Sequence, residues 1–123
     1  MGFFGNRQRN TKKNILLRFF IYFDKQEQEF VGVCVDLGII KAGTDPDQVE
    51  KDLDEAAIGY IKNIVKDKDF NEDLLNQEPP KEYMDIYNEI IDVSQRRKIR
   101  TDNLDFNQAR TFYKQESELC PAF

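Results

Sequence analysis

The chain has 123 residues, of which 40% are apolar and 33% charged, with a net charge of −5 and no histidine. That length is most simply one domain, and no stretch approaches the roughly 20 consecutive apolar residues of a membrane helix. Without histidine, the usual zinc ligand sets, histidine acid–base catalysis and every histidine-based triad are excluded.

Charge is distributed unevenly. Residues 1–14 carry Arg7, Arg9, Lys12 and Lys13 with no acid, whereas residues 15–78 carry 15 acids against 7 bases. The central region therefore repels a nucleic-acid backbone. Only the N-terminal arm and the run from Arg96 to Arg100 offer a basic footprint. The two cysteines, Cys34 and Cys120, belong to no CxxC motif. Cys34 sits in an apolar run and reads as a buried thiol. Phe3 and Phe4 are too few for a signal peptide's apolar region, and Asn6 stands where a myristoylation motif wants Ser or Thr. A cytoplasmic location, with no membrane partner, is the expectation.

Residues 1–13 (MGFFGNRQRNTKK) show no periodicity and read as a flexible basic arm. Asn14 to Phe23 is rich in β-formers. Its two alternating sets are both apolar apart from Arg18, which predicts a strand covered on both faces. Asp24–Gln28 is short and polar, as a hairpin loop is. Glu29 to Leu37 gives a second strand, with Val31, Val33, Val35 and Leu37 on one face. Gly32 on the other face marks a bulge or close packing by another element. After Gly38, Ile39–Ala42 forms a third short strand ended by Gly43.

A helix start follows. Asp45 is a good N-cap, Pro46 fits the first helical position, and Gln48 stands where a capping-box partner would. Val49, Leu53, Ala56, Ala57, Tyr60, Ile61, Ile64 and Val65 then repeat at helical spacing for about five turns. The outer face carries Glu50, Lys51, Asp54, Glu55 and Lys62. Leu74 and Leu75 form a small apolar patch before Pro79 and Pro80, which stop any helix there and can open a new one. Tyr83, Ile86, Tyr87, Ile90 and Val93 predict a second helix over Pro80–Ser94. Leu104–Tyr113 has scattered aromatics that fit strand or helix.

The predicted class is α+β: a small antiparallel sheet with a β-β-β-α core, one long helix packed on one face and a second, C-terminal helix. The expected organisation is a basic arm over 1–13, a core over 14–78, and a C-terminal helix and tail over 79–123 packing on it.

The text VCVDLGIIKAGTDPDQVEKDLDEAAIGYI, with its hairpin, short third strand and capped helix, resembles the HicB-like antitoxin fold. That family shows a Pro-Asp-Leu-Pro-Gly-like turn, then a short strand, a Gly-Thr step and a helix opening with Glu-Glu-Ala. Here Asp36, Leu37 and Gly38 stand in the turn, one position shorter and without proline. Gly43 and Thr44 stand at the Gly-Thr step, ahead of Asp45 and Pro46, and Asp47, Gln48 and Val49 replace Glu-Glu-Ala. The resemblance covers about residues 14–66. It implies a non-enzymatic protein-interaction module whose relatives pair with a small toxin ribonuclease and dimerise through their sheets. Many relatives also carry a C-terminal DNA-binding module; residues 79–123 match none, so the chain looks like a stand-alone type.

Several residues invite chemistry. Asp36, Asp45 and Asp47 could form a two-metal carboxylate site; a turn aspartate, an N-cap and a helix-dipole acid explain them more simply. Arg18 could bind an anion; in an apolar strand it more often snorkels to the sheet edge or pairs with an acid. Arg96, Arg97, Lys98 and Arg100 could touch RNA or DNA, or be a solvated post-helix segment. Phe106, Phe112 and Tyr113 could stack bases, or cover the core or a dimer interface. No catalytic, cofactor or metal residue is assigned, and no cofactor is expected. The expected partners are a second copy, since strands apolar on two faces need two covers, and a small basic protein. The alternative to a dimer is a monomer whose C-terminal segment covers the sheet edge. The alternative function is a nucleic-acid binder using the arm and the Arg96–Arg100 run.

Overall fold

The computed structural model describes residues 9–67, 69–96 and 104–115, with side chains described for all of these except 93–96 and 104–108. Four strands form one sheet: β1 (Leu16–Asp24), β2 (Glu29–Cys34), β3 (Ile39–Gly43) and β4 (Leu104–Gln115). Two α-helices, α1 (Pro46–Val65) and α2 (Lys81–Arg96), and a 3₁₀ turn at Glu72–Leu75 are the other elements among the described residues. The fold is α+β. The strand order is β3-β2-β1-β4 and each pairing is antiparallel.

β1 is central and apolar on both faces, as its sequence requires. Leu17, Phe19 and Ile21 face α1, whose buried stripe is Val49, Leu53, Ala57 and Ile61. Phe20 and Tyr22 face the other way, onto Val31, Val33, Val35 and the α2 residues Tyr87 and Ile90. The second cover is thus α2 of the same chain. Two-faced strands do not by themselves call for a second copy.

Gly32 shows why the first face closes so tightly. It lies opposite Ile21, and a Cβ there would stand 2.6 Å from Val49 Cγ1 and 2.7 Å from Leu53 Cδ1. The glycine lets α1 sit directly on the sheet, the second of the two roles expected for it.

β2 stops at Cys34 instead of running on to Leu37. The Gly38 N–H donates to the Cys34 carbonyl at 2.9 Å, and Gly38 has φ 67°, so a tight turn takes over. Val35 N–H still reaches the Arg18 carbonyl at 2.8 Å. Asp45 caps α1, accepting from the Asp47 N–H at 3.0 Å, with Pro46 opening the helix. Gln48 does not complete a capping box; its Nε2 donates to Asp52 Oδ1 one turn further on, at 2.9 Å.

The Leu74–Leu75 patch is the 3₁₀ turn, with Leu75 fully buried in the α1-side core. α2 begins one residue later than predicted, because the Pro80 carbonyl accepts from Tyr83 and Met84 and so stands outside the helix. The segment Leu104–Tyr113, open between helix and strand, lies in β4, an edge strand on β1. Arg110, Phe112 and Lys114 lie on its α1 side, and Ala109 packs into the α2-side core.

Of the arm expected over residues 1–13, residues 1–8 lie outside the described residues, and Asn10 is anchored to the core. Asn10 is 2% exposed. Its N–H donates to Asn76 Oδ1, its carbonyl accepts from Asn76 Nδ2, its Nδ2 donates to the Leu75 carbonyl, and its Oδ1 accepts from the Leu16 N–H. This mutual amide pairing ties the entry of β1 to the 3₁₀ turn.

Candidate functional site

Three surfaces come into question: the open sheet edge at β3, the outer face of α1 and the surroundings of Arg18. The residues of the turn–strand–helix signature fall into place as structural punctuation. Gly38 makes the turn, Gly43 closes β3 opposite Phe30, Thr44 is exposed, and Asp45 and Pro46 start α1. Gly43 also stays close to the helix, where a Cβ would meet Val49 Cγ2 at 3.4 Å.

The three aspartates are not assembled into one site. Asp36 is 1% exposed and faces Arg18. Its Oδ2 accepts from the Arg18 backbone N–H at 2.8 Å and its Oδ1 from Arg18 Nη2 at 3.1 Å. Asp45 caps α1, and Asp47 meets Arg110 at 3.1 Å. Among the described residues, no group of three or more Cys, Asp or Glu side chains is arranged to hold a metal ion. Arg18 is thus an arginine that pairs with an acid, and its guanidinium also lies 5.8 Å from the centre of the Tyr87 ring.

The acidic face of α1 is partly covered by the chain itself. From β4, Arg110 reaches Asp47 and Glu50, while Lys114 reaches Glu50 at 3.3 Å and Asp54 at 2.6 Å. Burial disfavours the charge on Lys114, but hydrogen bonds and attraction from Asp54 and then Glu50 outweigh it, and its pKa is raised. Glu55 remains exposed on the same helix. The N-terminal cation Arg9 is likewise held, by Asp73. Every arginine side chain described, Arg9, Arg18 and Arg110, therefore has an acidic partner within the chain.

Arg96 ends α2 with its side chain outside the described residues, and Arg97, Lys98 and Arg100 lie outside them altogether. The side chain of Phe106 and the whole of Cys120 also lie outside. Phe112 covers the core, stacked on Phe19 at 5.2 Å between ring centres and 4° between planes. Tyr113 is 58% exposed. Burial first, and then the neighbouring Tyr113, push Tyr87 up to about 12. Burial likewise pushes the Cys34 thiol up to about 12, so it remains a neutral core thiol rather than a nucleophile.

What remains open is the backbone edge of β3. Among the described residues, β3 is paired on one side only, with β2. Lys41 and Ala42 on it are exposed, and Ile39 and Ile40 are half-buried. A row of unpaired backbone groups of this kind is a template for an incoming strand.

Sequence reasoning missed two features: the cationic pair on β4 and the Asn10–Asn76 pairing. The first was signalled by the i, i+4 spacing of Arg110 and Lys114, which places both on one face of a strand. The second joins residues far apart in sequence and had no local signal. No described helix is long and apolar enough to cross a membrane. Comparison of the chain with protein-family models, curated proteins and solved structures gave no match.

Proposed function

We propose that this chain is a non-enzymatic protein-interaction module of HicB-like antitoxin type, which binds a small basic protein. The observation that carries the reading is the free edge of β3, on a core whose residues 15–78 hold 15 acids against 7 bases. A partner strand added to β3 supplies backbone hydrogen bonds, and the surrounding negative charge steers a basic protein towards it. The β-β-β-α order over residues 16–65 is the one the resemblance implies.

The test is affinity purification from the native host with the full chain as bait. A small basic protein should be retained, and Ala42→Lys should abolish its capture while the variant stays folded. Lysine on the exposed edge opposes both strand addition and a cationic partner. Capture that survives Ala42→Lys rules out the β3 edge. Failure to retain any small basic protein rules out the antitoxin reading.

A further inference from the structure

We propose that a cleft of about 390 Å³ on the α2 side of β1 binds a small amino-acid zwitterion. The cleft lies apart from the β3 edge and contains no residue of that strand. Its volume falls within the range of small-molecule sites.

The floor is the Arg18–Asp36 pair. A buried ion pair is usually no more stabilising than a well-packed apolar pair, so its place at the base of an open cleft needs another reason. Arg18 gives Nε and Nη2 to Asp36 and lies over the Tyr87 ring. A guanidinium carries five N–H donors, and the pair with Asp36 engages two of its three nitrogens, on a side chain only 12% exposed. A guanidinium held on two sides with donors to spare is preorganised for a carboxylate, whose planar fork it matches.

The walls set the rest of the ligand. Arg9 lines the same cleft, and its pair with Asp73 is exposed on both sides. Such a surface pair is worth little, so Arg9 can turn to a carboxylate at small cost. Glu78, an exposed residue of the same lining, repels a simple anion and accepts an ammonium. Met84 offers a half-buried apolar surface and Asn88 an exposed amide. A carboxylate beside an ammonium satisfies both signs at once; phosphate and dicarboxylates satisfy one.

The experiment is a titration of the full ¹⁵N-labelled chain with pools of free amino acids, and separately with succinate and with inorganic phosphate. The Arg18 Nε–H and Asn88 side-chain amide signals are followed. At least one amino-acid pool should move both signals saturably. Glu78→Gln and Asn88→Leu should each weaken that binding about tenfold, with melting temperature unchanged. Equal response to succinate or phosphate overturns the zwitterion assignment. No saturable shift with any pool at about 10 mM, near the weak limit of specific binding, overturns the site. So does binding that is indifferent to both variants.

Discussion

Arg18 on β1 and Asp36 in the turn after β2 are joined three times, through the Arg18 backbone N–H and through Nη2 and Nε of its side chain. The bond at the longest distance, 3.5 Å from Nε, is the weakest of these. The turn is also fixed from outside, because the Gln77 N–H donates to the Asp36 carbonyl at 2.7 Å. Removing one partner alone leaves a charge in the interior. Asp36→Ala should therefore cost about 3–5 kcal/mol in denaturant melts. The double variant Arg18→Met, Asp36→Leu should recover most of that, but not all, because the Arg18 backbone N–H still loses its acceptor. A double variant as unstable as the single would show that the pair's attraction is not the main term.

Gly32 should tolerate no side chain. Alanine there places Cβ within 2.7 Å of both Val49 and Leu53. The Leu53 methyl can swing away, but Val49 is β-branched and stiff, so the helix must lift. Gly32→Ala should destabilise by ~1–3 kcal/mol, the cost of overpacking. Adding Val49→Ala should restore part of it. No rescue would place the strain in the strand backbone instead.

The sheet and long helix were legible because their signals are local: alternation over 15–37, a Pro-Asp start at 45–47, and a four-residue stripe. The end of β2 was misjudged because Val35 and Leu37 continue the apolar alternation while the backbone is already turning through Gly38. The capping box failed because the Gln48 side chain turns along the helix, where its Nε2 donates to Asp52 Oδ1, and does not reach back to the Asp45 N–H. β4 was ambiguous because an edge strand rich in polar residues has no strong apolar period, and its pairing with β1 decides it. Surface features were hardest to foresee. The sequence shows an acidic helix, but only the fold brings Arg110 and Lys114 onto it.

Alkaline pH should unfold the protein through groups that must stay neutral in the core. Cys34 rises from 9.0 to about 12 and Tyr87 from 10.0 to about 12, both through burial first. A raised folded pKa favours the protonated form in the native state. The stabilisation is complete below the unfolded value and is lost as pH climbs through the folded one. Stability should thus fall from about pH 9 to about pH 12. Raised values for Tyr22, Tyr60 and Lys114 act in the same direction. Cys34→Ala costs core packing at neutral pH, but its pH–stability curve should bend later than that of the parent. Parallel curves would show that the thiol takes no part.

The amide pair Asn10–Asn76 should behave as a latch on the N-terminal entry. Asn76→Ala leaves both the N–H and the carbonyl of Asn10 without their partner, in a residue that is 2% exposed. The expected loss is ~1–3 kcal/mol, with faster amide exchange at Leu16, whose N–H depends on Asn10 Oδ1. Unchanged exchange at Leu16 would show that Asn10 is held by Leu75 alone.

The ion pairs that hold β4 to α1 should not be equal, and burial says which matters. Arg110 and Asp47 are 40% and 82% exposed, whereas Lys114 and Asp54 are 19% and 28% exposed. Screening and side-chain entropy leave the first pair with a few tenths of a kcal/mol, and the second with ~1 kcal/mol or somewhat more. Lys114 also lies 5.2 Å from the Phe112 ring centre, and that ring stacks on Phe19. Its charge is therefore coupled to the packing of β4 on β1. Double-mutant cycles with Arg110→Ala, Asp47→Ala and with Lys114→Met, Asp54→Leu should return coupling energies in that order. Raising salt should shrink the first faster than the second. A larger coupling for Arg110–Asp47 would mean that β4 is steered by its exposed charges and not anchored by the sheltered one.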